Sequence, residues 1–198
     1  MGIFRPSGVK ARETLQAHTL RSVQLRAGVM ADSVVLGQPV HQPSNEFQYP
    51  KVVLTTPEHP NSAALIEIWR AHEPTGGMRM GRDIPTRALG RLLPNIVIAE
   101  PQADWTDARI RLAGSVLTER FGRDITGAQL TEIYRADPDG GAMLIACARR
   151  ADETRVPGLL GTRVLAGSLE VMRFEVVGLP IYAPDGVTRW TLVGTFRF

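Results

Sequence analysis

The side chains best suited to chemistry are few and far apart. His18, His41 and His59 lie ahead of the first clear helix and His72 lies at its end, so the four histidines form no acid–base pair and no metal set by spacing. Cys147 is the single cysteine, which rules out an internal disulfide or a zinc cage and agrees with a reducing compartment. Between Ala146 and Ala148 it reads as a buried core thiol. Gly76-Gly77 and Gly140-Gly141 lack the strand, spacing and lysine of a phosphate loop, and Ser115 has no nucleophile-elbow context. An enzymatic reading, that of a cone-shaped α+β enzyme or binding protein, needs an acid or base from Glu132, Asp137 or Glu175, turned into a cavity with a raised pKa. Strand alternation places Glu175 opposite Phe174 and therefore outside.

Composition narrows the class further. With 198 residues and 43% hydrophobic side chains, the chain holds one ordinary domain plus additional segments. It has no apolar run of membrane-spanning length and no secretory leader, so a cytoplasmic protein without membrane contact is expected. The net charge of +3 raises nucleic acid as a partner. Residues 1 to 51, however, carry six basic and three acidic side chains, and the remaining residues carry 17 of each. Lys10 and Lys51 are the only lysines, and no basic stripe with interleaved aromatics occurs. Nucleic-acid binding is therefore not expected.

The elements that would position any site begin late. Residues 1 to 55 mix Gly, Pro, Ser and Gln without sustained periodicity and read as an irregular arm and linker, with one helical candidate over Thr14 to Arg26. The domain is expected over residues 56 to 198. Asn61 reads as an N-cap, followed by Leu65, Ile68, Trp69 and His72 on one helical face, with Pro74, Gly76 and Gly77 ending the helix. Pro85 to Leu93 predicts a second short helix stopped by Pro94. Asn95 to Ala99 and Arg109 to Ala113 predict a hairpin turning at residues 104 to 107.

Short helices follow. Ser115 opens one that carries Phe121 and closes at Gly122; Thr126 and Gln129 have capping-box spacing ahead of Leu130 and Ile133. Asp137-Pro138 starts a helix through Arg150 with Leu144, Cys147 and Ala148 on its inner face. From Val156 the period changes to strands, with Pro184-Asp185-Gly186 as a turn between the last two. Two strands, a helical cluster and three strands define an α+β fold: a five-stranded antiparallel sheet with short helices on one face.

That order, together with Trp69-Arg70, Arg82-Asp83-Ile84-Pro85, Leu92-Leu93-Pro94, Arg111-Leu112-Ala113-Gly114, Phe121-Gly122, Thr126-Gly127 and Leu179-Pro180-Ile181, resembles a bacterial PAS domain subfamily over most of residues 65 to 195. The resemblance implies the PAS fold and a non-catalytic sensory role; the N-terminal helical extension before residue 55 lies outside it. Flavin-binding PAS relatives hold their cysteine in an Asn-Cys-Arg setting on an earlier helix, from which Ala146-Cys147-Ala148 departs. Haem-binding relatives use a histidine on the long helix, and residues 138 to 150 contain none. No cofactor is assigned.

On this reading a small molecule occupies a cavity walled by Leu130, Ile133, Tyr134, Leu144, Cys147, Met172 and Phe174. The outer sheet face, with Val177, Leu179 and Trp190, is too apolar to stay exposed and is expected to be covered by the N-terminal helix folded back, by a second copy or by a signalling partner. No effector segment follows Phe198, so output is expected to pass through that contact. Arg111, which interrupts an apolar strand, is expected to pair with a carboxylate.

Overall fold

The computed structural model describes residues 47–198. The helix expected over Thr14 to Arg26 lies outside the described residues. Helix α1 (Pro60–Arg70) starts two residues before the expected Asn61: His59 is its cap, accepting from the Asn61 N–H through Nδ1 at 3.0 Å, and Pro60 takes the first position. The His59 ring is held between neighbours, stacked on Phe196 at 5.4 Å and edge-on to Phe198 at 5.0 Å, with Nε2–H donating to the Arg197 carbonyl at 3.0 Å. A cap residue with three further contacts outcompetes an asparagine with none.

All the strands share one antiparallel sheet. β1 (Phe47–Gln48) and β2 (Lys51–Val53) pair in succession with β5 (Gly158–Ala166), which continues through β6 (Leu169–Tyr182), β7 (Arg189–Arg197), β3 (Ile96–Pro101) and β4 (Ala108–Ala113). The expected count of five strands is corrected: the five are present, and β1 and β2 add a sixth position along the outer edge of β5. Both lie within residues placed in the arm by sequence, where strands of two and three residues are too short to show alternation. Lys51 also reaches across to Asp137 at 2.8 Å.

The helical cluster comprises α2 (Ser115–Phe121), α3 (Leu130–Ile133) and α4 (Pro138–Thr154). Asp137 caps α4 by accepting from the Gly140 N–H at 3.0 Å, and Gly122 closes α2 at φ 62°. The capping box at Thr126 does not form, because α3 starts only at Leu130, and Thr126 is instead held by Asp124. The helix expected over Pro85 to Leu93 is two 3₁₀ turns, Arg87–Leu89 and Leu93–Asn95. Gly90 and Pro94 leave too few consecutive good helix formers for a full turn to propagate.

Two cores use opposite faces of the sheet. On one, α1 and residues 78–93 bury Leu65, Trp69, Met78, Leu89 and Leu92 against Ile98, Val177, Leu179, Leu192 and Phe196. Trp69 is anchored there by donating its indole N–H to the Pro180 carbonyl at 2.7 Å. On the other, α2 to α4 cover Val97, Ala99, Ala108 and Ile110 with Phe121, Ile125, Ile133 and Tyr134. Two glycines allow the close approaches. A Cβ at Gly194 would lie 2.6 Å from Leu65, and one at Gly114 would lie 2.3 Å from the Leu93 carbonyl oxygen.

Candidate functional site

The second face is not fully packed. Between the sheet and α4 lies a chamber in which water centres have about 70 Å³ of room. β3 and β4 contribute Val97, Ala99 and Ile110; β6 and β7 contribute Val176, Gly178, Thr191 and Val193; the helical side contributes Phe121, Leu130, Ile133, Tyr134, Leu144, Cys147 and Ala148. Strand alternation aims these sheet residues at the helices, while their neighbours Ile98, Val177 and Leu192 point into the first core. Gly178 keeps space open, since a Cβ there would meet only the Thr191 Cγ2, at 3.8 Å.

The wall is apolar and uncharged: none of its side chains is Asp, Glu, Lys, Arg or His. Two hydroxyls of the lining residues are shut away from that space. The Tyr134 and Thr191 hydroxyls are buried and have no hydrogen-bond partner. Burial drives the Tyr134 phenol well above its ordinary pKa, with the nearby Asp137 charge adding to the effect and Arg120 opposing it. Cys147, expected as a buried core thiol, is only half-buried, yet desolvation pushes its thiol up to about 11, against a smaller opposing pull from Arg150, so the thiol is neutral near pH 7.

Trp105 closes one end of the chamber from the β3–β4 hairpin. It and Asp104 occupy the left-handed region, at φ 55° and 58°. That conformation is costly for a bulky side chain and holds the indole over the cavity rim.

Of the seven cavity residues expected from sequence, Leu130, Ile133, Tyr134, Leu144 and Cys147 line the chamber. Met172 and Phe174 do not. They share its face but pack farther along β6 with Val164 and Tyr49, and Arg120 lies over the Phe174 ring at 4.6 Å. The long β6 strand runs past the chamber to meet the β1–β2 edge, so two of its inward residues fall outside. Missed by sequence were Thr191, Gly178 and Trp105. Alternation along β7 puts Thr191 and Val193 on one face, and that was the one available signal.

Of the three expected partner-binding residues, Val177 and Leu179 are corrected, while Trp190 stays half-exposed. Val177 and Leu179 are wholly buried beneath α1, and Trp190 packs at the border of the same core with Arg111 over its ring at 5.6 Å. The apolar outer face is covered, as its composition requires, by the chain's own first helix and the 3₁₀ segment. Arg111 pairs with Glu100 at 2.5 Å, the carboxylate partner expected of it.

The acid–base candidates do not converge. Glu132 is exposed and faces Arg123 at 3.6 Å, and Asp137 is engaged as the α4 cap and by Lys51. Glu175 is on the face opposite Phe174, as alternation indicates, yet it is fully buried and not outside: its carboxylate accepts the backbone N–H groups of Glu58 and His59 at 2.8 and 3.2 Å, tying down the start of α1. Among the described residues no three His, Cys, Asp or Glu side chains cluster as a metal site, and no helix is long and apolar enough to cross a membrane.

An antiparallel sheet that closes a small apolar chamber under short helices, with its carboxylates engaged elsewhere, has the form of a sensory or binding module. The chain belongs to the PAS domain family, whose model matches residues 57–196. Members of the family act as sensory and regulatory modules. No curated protein and no solved structure matches the chain.

Proposed function

We propose that this chain is a non-catalytic PAS-type sensory module whose chamber binds a small molecule and whose occupancy is read by a signalling protein or a second copy. The observation that carries this reading is the chamber itself, an apolar, uncharged space walled by both the sheet and α4. β6 and β7 offer a route for the signal, because they alternate between chamber residues such as Gly178 and Thr191 and residues such as Val177, Leu179 and Leu192 beneath α1. A ligand that prefers one arrangement of these strands biases the seat of α1 by that same preference. The enzymatic alternative draws no support from Glu132, Asp137 or Glu175, each of which is engaged away from the chamber.

Native mass spectrometry of the freshly purified chain tests the reading. A retained small molecule that is lost from a Gly178→Val variant supports it, and the same spectrum reports whether the chain is paired with a second copy. Reproducible turnover of a substrate by the purified chain, with no chamber-dependent binding, would replace it with the enzymatic reading.

A further inference from the structure

We propose that the chamber recognises a small, wholly apolar guest, a hydrocarbon on the scale of a single aromatic ring, by shape and apolar surface with no hydrogen bond to the ligand. The inference rests on the reading of the chamber as a ligand site and adds the chemical class of the ligand. Size sets the first limit. Since one water needs about 10–15 Å³ of such room and occupies about 30 Å³ of liquid, the chamber corresponds to roughly five waters, or about 150 Å³ of liquid. One six-membered carbon ring matches that scale.

The surface that a guest touches sets the second limit, because it is almost wholly apolar. The Tyr134 and Thr191 hydroxyls are shut away from the space and offer nothing to a guest. The Cys147 sulfur is a weak acceptor at best. The sheet floor offers no free backbone groups either. Val97 and Ala99 lie on β3, Val176 and Gly178 on β6, and Thr191 and Val193 on β7; each of these strands is paired on both sides, so its peptide groups are engaged in the ladders. On β4, the Ile110 N–H donates to the Ala128 carbonyl and its own carbonyl accepts from the Gly127 N–H. A ligand hydroxyl entering this space gives up its hydration and finds no replacement, whereas a hydrocarbon gains by leaving water. An apolar space of this kind stays dry and takes a small hydrocarbon in preference to water.

The test uses the full chain and three probes built on one ring: toluene, phenol and benzoate. Toluene and phenol share an outline and differ in a methyl for a hydroxyl, which isolates the polar group. Binding is read by isothermal titration calorimetry, with Trp105 at the rim as a fluorescence reporter. Toluene is expected to bind roughly tenfold more tightly than phenol, the scale set by burying one unpaired hydroxyl. The ratio of the two affinities should be the same in Tyr134→Phe and in Thr191→Val as in the parent, since neither hydroxyl meets the guest. Gly178→Val fills the space and should abolish toluene binding. Should that variant fail to fold, Ala148→Leu fills the chamber from the α4 side and carries the same expectation.

Phenol binding as tightly as toluene, or a phenol affinity that falls selectively in either hydroxyl-deleted variant, overturns the assignment of class while leaving a ligand chamber in place. Tighter binding of benzoate than of toluene does the same, and would mean that a charge such as that of Arg120, which acts on Tyr134, reaches the guest. So does a retained polar molecule that the filling variants expel. If none of the probes binds and no retained molecule responds to filling the chamber, the chamber reading falls along with the class.

Discussion

At the scale of single residues, burial decides what each candidate can do. Cys147 is the only thiol, and it faces an apolar chamber against α4 and the nearby Gly158, where a Cβ would lie 2.5 Å from its sulfur. Its pKa of about 11 exceeds the ordinary value of an unfolded thiol, about 8.5 to 9. Below that range both states keep the proton and the residue adds no pH dependence. Between about pH 9 and 11 only the unfolded chain releases it, so stability falls as pH rises through this window. A Cys147→Ser comparison should remove that part of the alkaline loss. Labelling by iodoacetamide should stay slow at pH 8 in the folded chain and reach the rate of a free thiol only on unfolding; rapid labelling at neutral pH would contradict the half-buried, neutral state.

Glycines divide at the same scale. Gly114→Ala drives a Cβ into the backbone of Leu93 and Pro94 and should cost about 3 kcal/mol, at the upper end for overpacking. Gly178→Ala brings its methyl only into ordinary contact with the Thr191 Cγ2 and should stay within about 1 kcal/mol of the parent, measured by urea titration. Equal costs at the two sites would mean that the close approach at Gly114 relaxes freely or that the chamber is filled.

At the scale of elements, periodicity shows what repeats and hides what is brief or set by tertiary contact. The hairpin of β3 and β4, the start of α4 at Asp137 and the three long C-terminal strands were legible because their apolar spacing and turn residues agree. So was most of the helical wall of the chamber, through Leu144, Cys147 and Ala148 on one helix face. The β1–β2 edge was not legible. Its place depends on β5, more than a hundred residues later, and on the contact of Lys51 with Asp137. The covering of Val177 and Leu179 was likewise hidden, since a strand's pattern shows that a face must be buried but not by what. Removing residues 1–55 should therefore cost more than removing residues 1–46: the longer deletion exposes the outer edge of β5, the apolar face of Gly161 packed by Val52 and Leu54, and an unpaired Asp137. The expected readout is a melting temperature several degrees lower for the chain starting at residue 56, on the scale of about 4 °C per kcal/mol for a domain of this size. Equal melting of the two truncations would make β1 and β2 passengers.

For the whole molecule, the decisive feature is one sheet shared by two cores. β6 and β7 supply Val177, Leu179, Leu192 and Phe196 to the core under α1 and Val176, Gly178, Thr191 and Val193 to the chamber side, so neither side can lose its strands without disrupting the other. Near-neutral charge over residues 52 to 198 adds no large repulsion that would split them. The described part is also of a size that usually unfolds in one step. Tryptophan reports on both sides: Trp69 is buried in the first core, Trp190 lies at its border, and Trp105 stands at the chamber rim. With 5-fluorotryptophan incorporated, the three ¹⁹F resonances of the native chain should lose intensity at one common urea midpoint, and a chamber ligand should move all three midpoints upward together, since binding to the native state stabilises every part that unfolds with it. Loss of the Trp105 resonance at lower urea than the Trp69 resonance would show that the chamber side opens as a separate unit, and the route from ligand to α1 through a shared sheet would then fail.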